Sequence, residues 1–147
     1  MTDSAAAPIT GGCICGAVRY SVSAPPVVVR QCWCRDCQYW GSGSATVNAV
    51  FEVAHVNLTG TLTHFTSKAA SGNTMRRGFC PACGTPVTSA SDARPQFVIL
   101  RVGTLDQPSL AAPVMAIWTD SAPDWAHLDP DLPSTPVAPP PLPPGPR

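Results

Sequence analysis

The chain has 147 residues with nine basic and nine acidic side chains and no net formal charge, which is enough for one domain with a core and too little for two ordinary ones. It has no Lys/Arg-rich run, so it lacks the basic footprint that nucleic acid or an acidic membrane surface selects. No stretch approaches the roughly 18 apolar residues of a spanning helix, which leaves small molecules or proteins as the expected partners and excludes a membrane.

Residues 1–10 carry one acid, no Lys or Arg and no apolar run of the kind a signal peptide requires. They are expected to be a flexible N-terminus on a cytoplasmic protein. In residues 17–22, Val18, Tyr20 and Val22 alternate with polar or small neighbours, the period of a half-buried strand. Residues 27–30, 45–51, 62–66, 96–102 and 115–118 are further strand candidates, punctuated by Pro, Gly, Ser and Asn. A short helical turn is expected after Cys34, stopped by Gly41 and Gly43. The pattern predicts a mainly β domain over residues 11–132. From Pro133 onward proline dominates and offers no backbone donors for a sheet, so residues 133–147 are expected to form a disordered or polyproline II extension.

The cysteines carry the chemistry. Seven of them fall in three groups: Cys13 and Cys15, then Cys32, Cys34 and Cys37, then Cys80 and Cys83. In a reducing compartment such a load points to metal or redox chemistry, and an odd count cannot form a complete disulfide framework. Residues i and i+2 of an extended segment point to one side, so Cys13 and Cys15 can share an ion, and Cys80 and Cys83 can do so across a tight turn. Gly16 and Gly84 follow the two pairs, where a metal-binding turn needs conformational freedom. Joined, the pairs offer the four thiolates of a structural zinc.

Cys32, Cys34 and Cys37 lack a fourth sulfur, and three protein ligands with an open position are the catalytic zinc arrangement. Trp33, Tyr39 and Trp40 are candidate walls for that site. Two other readings fit the spacing. Two of the middle thiols would join Cys80 and Cys83 in a zinc ribbon, or Cys34 and Cys37 would act as a metal-free C-x-x-C redox couple. His55, His64 and His127 show no ligand spacing, and Arg77 and Asp106 have no visible partner.

On these residues the chain resembles the glutathione-dependent formaldehyde-activating enzyme family, which includes centromere-protein-V-like proteins. The resemblance is carried by residues 12–20, the Cys32, Cys34, Cys37 cluster, residues 77–85 around Cys80 and Cys83, and residues 102–108, with Trp125 and residues 131–133 also fitting. It implies an Mss4-like β-tent fold. It also implies two zinc ions per chain, a structural one on Cys13, Cys15, Cys80 and Cys83 and a catalytic one on Cys32, Cys34 and Cys37. The implied activity is a carbon–sulfur lyase joining glutathione or a related thiol to formaldehyde or another small carbonyl. The alternative is a non-catalytic module that binds thiols, glutathione or zinc. Many members carry histidine between the first two cysteines of the cluster, where this chain has Trp33, and another a few residues after the position of Pro113, where this chain has Ala116.

Overall fold

A computed structural model of the chain describes residues 6–142. The fold is mainly β, with cysteine clusters consistent with a β-tent. Ten strands form two sheets among the described residues. The smaller has the order β1 (Ile9–Gly12), β2 (Arg19–Val22), β5 (Val56–Thr59), all antiparallel. The larger holds seven strands: β10 (Met115–Ile117), β3 (Val28–Cys32), β4 (Thr46–Glu52), β9 (Phe97–Arg101), β8 (Pro86–Ser91), β7 (Thr74–Phe79) and β6 (Thr63–Lys68). Among the strand pairs of the described residues, only that of β10 with β3 is parallel. One α-helix of six residues, α1 (Arg35–Trp40), follows β3, and no helix is long and apolar enough to cross a membrane.

Period-two alternation gives the large sheet two different faces. Val29, Ala49 and Leu100 are cross-strand partners on one face. With Phe51 and Val87 they pack against Val18, Tyr20 and Val22 of the small-sheet region. Phe51 and Leu100 are fully buried, each contributing roughly 1.5–3 kcal/mol. The alternate register places Arg30 opposite Asn48 and Asn48 opposite Arg101, and Arg77 opposite Ser89 and Ser89 opposite Ile99. These residues form a polar row on the other face, and that face carries the candidate site.

Every strand expected from the sequence is present with shifted ends. The alternation did not reveal β1, β5, β7 or β8. β1 begins inside the segment read as flexible and is half glycine; it forms because β2 offers it a full register and Gly11 also bridges Leu105. β7 and β8 are rich in Arg, Thr and Ser, and Arg77, Thr88, Ser89 and Ser91 are buried.

The segment after Pro133 differs from the solvated extension its composition suggests. Ser134 bridges Ala116 of β10 in parallel. The amides of Ala116, Trp118, Thr119 and Asp120 donate to the carbonyls of Pro133, Val137, Thr135 and Pro136. A proline-rich strand keeps every acceptor for these amides, and Thr135, which is not proline, donates back to the Ala116 carbonyl at 3.0 Å. Residues 143–147 of the Pro-rich tail lie outside the described residues.

Candidate metal centres and the cavity beside them

Cys13 and Cys15 lie in the turn between β1 and β2, held by Cys13 N–H on the Val18 carbonyl at 3.0 Å and Gly16 N–H on the Cys13 carbonyl at 3.1 Å. Cys80 and Cys83 lie in the turn between β7 and β8, closed by Cys80 N–H on the Thr85 carbonyl and Gly84 N–H on the Cys80 carbonyl at 2.8 Å. Gly16 and Gly84 have φ of 81° and 75°, a left-handed conformation that strains any residue with a Cβ. The two turns face each other, joined also by Ile14 N–H donating to Thr85 Oγ1 at 3.3 Å.

All four sulfurs lie within 4.8 Å of one another. Cys13 and Cys15 Sγ are 3.5 Å apart and Cys15 and Cys80 Sγ 3.7 Å apart. A disulfide needs about 2.05 Å, whereas four thiolates at about 2.3 Å from a tetrahedral ion stand about 3.8 Å apart. The donor set therefore fits a metal ion such as zinc, and all seven cysteines are free thiols. The Thr85 hydroxyl and backbone hold the Cys83 thiol down to about 5, favouring the thiolate that a metal takes.

Cys32, Cys34 and Cys37 form a second group with sulfurs within 4.8 Å of one another. Cys32 ends β3, Cys34 caps α1 by accepting from Cys37 N–H at 3.3 Å, and Cys37 lies in the first turn of that helix. Strand end, cap and first turn thus converge within six residues. Hydrogen bonds from the Cys32 and Cys34 thiols hold the Cys37 sulfur well below the usual thiol range, with Arg101 assisting. The mirror image of those contacts, with burial, pushes Cys32 up. Three sulfurs so close favour a single shared negative charge, and a cation among them would let all three ionise.

The surroundings of the cluster differ from the expected aromatic wall. Trp33 is buried behind it and Gln38 Nε2 locks that loop by donating to the carbonyls of Trp33 and Ser121. Tyr39 is exposed, stacked under Arg35. Trp40 packs on Phe65 and on the Arg77 guanidinium, 4.7 Å from the ring centroid. The tryptophan lining the cavity is Trp118, held in a left-handed conformation (φ 57°, ψ 37°) that is rare for a non-glycine residue. None of the three histidines reaches the cavity lining, and Ala116 is buried beneath the C-terminal segment.

The three sulfurs open on a cavity of about 250 Å³. Its other walls are the polar row of the large sheet, Trp118 and the segment from Ala138 to Pro141. Arg77 joins the cavity to α1: it is buried, 3.2 Å from Asp36 Oδ2 and 2.9 Å from Ser67 Oγ. Sequence reasoning found no partner for Arg77 because Asp36 and Ser67 reach it only through the pairing of β6 with β7 and the placement of α1. Asp106, also unassigned from sequence, lies away from this cavity. It accepts from Arg19 and Thr10, and Arg19 beside it holds its carboxyl down to about 2.

A sequence profile described as glutathione-dependent formaldehyde-activating enzyme matches residues 8–121. The chain belongs to that family. In this member the match spans both cysteine groups and ends at Ser121, the residue whose carbonyl receives Gln38. The fold is also similar to the crystal structure of a Rhodobacter sphaeroides protein, with 18% identity, 86% of this chain and 99% of that chain covered, and a TM-score of 0.55. A comparison with curated proteins returns no match.

Proposed function

We propose that this family member is a zinc-dependent carbon–sulfur lyase of the formaldehyde-activating type, joining glutathione or a related thiol to formaldehyde or another small carbonyl. The observation that carries this reading is a three-sulfur group that opens on a cavity, beside a four-sulfur group that is already complete. Under this reading residues 11–132 are the zinc domain in a cytoplasmic protein, Cys13, Cys15, Cys80 and Cys83 hold a structural zinc, and Cys32, Cys34 and Cys37 hold the second. Zinc bound to those three sulfurs would supply a Lewis acid that favours the thiolate of an incoming thiol at neutral pH.

The chain's own residues position and stabilise. The thiol gives up its proton to water, its sulfur forms a bond to the carbonyl carbon, and the carbonyl oxygen takes the π electron pair. Arg101, on the sheet face beside the cluster, offers positive charge to that developing oxyanion. The addition ends when the oxyanion takes up a proton from water. Ile117 and Trp118 exclude bulk solvent from one side.

A second reading, a non-catalytic thiol, glutathione or zinc module, is favoured by one observation: no His, Asp or Glu lines the cavity, so no conventional general acid is at hand. Exchange of glutathione with formaldehyde, followed by NMR with and without protein, separates the two. A rate above buffer that disappears in Cys34→Ser supports the lyase. A rate equal to buffer, with glutathione still retained in native mass spectra, makes the site a carrier.

A further inference from the structure

The chain is neutral overall, yet the cavity beside the three sulfurs is lined by Arg30, Arg77, Arg94 and Arg101 and by no acidic residue. Half of the chain's eight arginines meet in one small space. Only Arg77 has an ion-pair partner among the described residues, Asp36 at 3.2 Å. Arg101 is buried, donates through Nη1 to Asn48 Oδ1, and keeps its Nε buried with no partner. Arg30 is 6% exposed and makes no side-chain hydrogen bond or ion pair among the described residues. Arg94 extends the row from the turn between β8 and β9.

A buried guanidinium without an acceptor, as at Arg30, is costly, and an anion in the cavity would offset that cost. The sulfur cluster does not balance them. Asp36 offsets one of the four charges, and three thiolates around a divalent ion carry one net negative charge, so about two positive charges stay unmet. Guanidinium geometry matches carboxylates in a bidentate manner.

We propose that this cavity recognises a small molecule bearing two carboxylates, received by Arg30 and Arg94 with Arg101 behind them. The inference rests on the reading above only in taking the cavity as the place where substrate lies. The carboxylates belong either to the thiol, as in glutathione, or to the carbonyl compound, as in an oxo-dicarboxylic acid. A neutral carbonyl with a thiol lacking carboxylates would leave the arginines unmet.

The test is calorimetric titration of the full-length, zinc-loaded protein with succinate, which has two carboxylates and neither thiol nor carbonyl, against succinamide, its neutral counterpart, at constant ionic strength. Saturable succinate binding is expected, with succinamide at least about ten-fold weaker, and with Arg30→Gln or Arg94→Gln lowering succinate affinity by about ten-fold. Arg94 is half-buried on a turn, so its variant informs even if Arg30→Gln fails to fold. Succinate binding no tighter than succinamide, or unaffected by Arg94→Gln, overturns the proposal.

Two exchange assays then locate the carboxylates. A loss in Arg94→Gln with glutathione and formaldehyde but not with cysteamine and 2-oxoglutarate assigns them to the thiol, and the reverse assigns them to the carbonyl. Where the protein accelerates exchange, a loss in neither pair overturns the proposal. Succinate binding without any protein-dependent exchange would sink the lyase and leave the anion site standing. Exchange without succinate binding would do the opposite.

Discussion

The two cysteine groups use the same ligand atom and differ in how far apart the chain places them. In the four-sulfur group, Cys15 and Cys80 are 65 residues apart and their sulfurs 3.7 Å apart, so an ion there would close a loop containing β2 to β7. Tying distant segments removes chain entropy from the unfolded state and couples metal to folding. The three-sulfur group spans six residues at a strand end and a helix start, where an ion would constrain little that the backbone does not already fix. Its sulfurs face a cavity instead. Long sequence separation suits a clamp, and short separation beside empty space suits the reactive site proposed above.

The largest break in that comparison should come from Cys80→Ser. A structural zinc in such a setting contributes about 10–16 kcal/mol, more than the roughly 5–15 kcal/mol that separates folded from unfolded chains. The variant is expected to lose its cooperative thermal transition by circular dichroism and its dispersed amide spectrum. A transition retained within a few degrees would show that the clamp is dispensable.

Cys34→Ser should sharpen the contrast from the other side. Native mass spectrometry is expected to record one zinc fewer, thiol–formaldehyde exchange to fall to the buffer rate, and melting to shift by no more than about 5 °C, since a change at a locally closed site alters stability by about 1 kcal/mol. Global unfolding of this variant would contradict the division of labour.

Deleting residues 133–147 tests how much of the reactive region is held from outside the matched family segment. Five amide–carbonyl bonds over β10 and its following turn would be lost, each worth about 0.5–1.5 kcal/mol. A stability loss of about 3–7 kcal/mol is expected, together with faster hydrogen exchange at the Ala116 and Trp118 amides and unchanged protection in β2. Unchanged exchange at Ala116 would mean that the segment does not hold that edge.

The smallest effect concerns acid. Because Cys83 is held down to about 5 in the folded chain, against about 8.5 for an ordinary thiol, its contribution is complete above the unfolded value and is lost as pH falls through the folded one. Thr85→Val removes the hydroxyl and raises the thiol, so the pH at which the four-sulfur group releases metal should move upward. A midpoint unchanged or lower, read by a zinc-sensitive dye, would contradict that assignment of Thr85.

Much was legible before any coordinates. The spacing of Cys13, Cys15, Cys80 and Cys83, the helix after Cys34 with its stop at Gly41, and the strands at residues 17–22, 45–51 and 96–102 follow from local rules: ligand geometry, glycine freedom and period-two alternation. β7 and β8 were not legible because Arg, Thr and Ser resemble loop sequence until the second, polar face of the sheet is known. The walls of the cavity were misread for a related reason. Trp33 and Trp40 adjoin the cysteines in sequence, but β3 and α1 turn them away, while Trp118 arrives from 81 positions beyond Cys37.

The sequence by itself determined the ligand chemistry, the grouping of the seven sulfurs and the β character, because each depends on residues within a few positions of one another. Only the tertiary structure decided that the two outer pairs meet, that proline carbonyls cover the edge of β10, and that Arg30, Arg77, Arg94 and Arg101 share one cavity. Strand register sets those neighbours, and register is fixed by the packing of the opposite, apolar face against the small sheet, which no local pattern encodes.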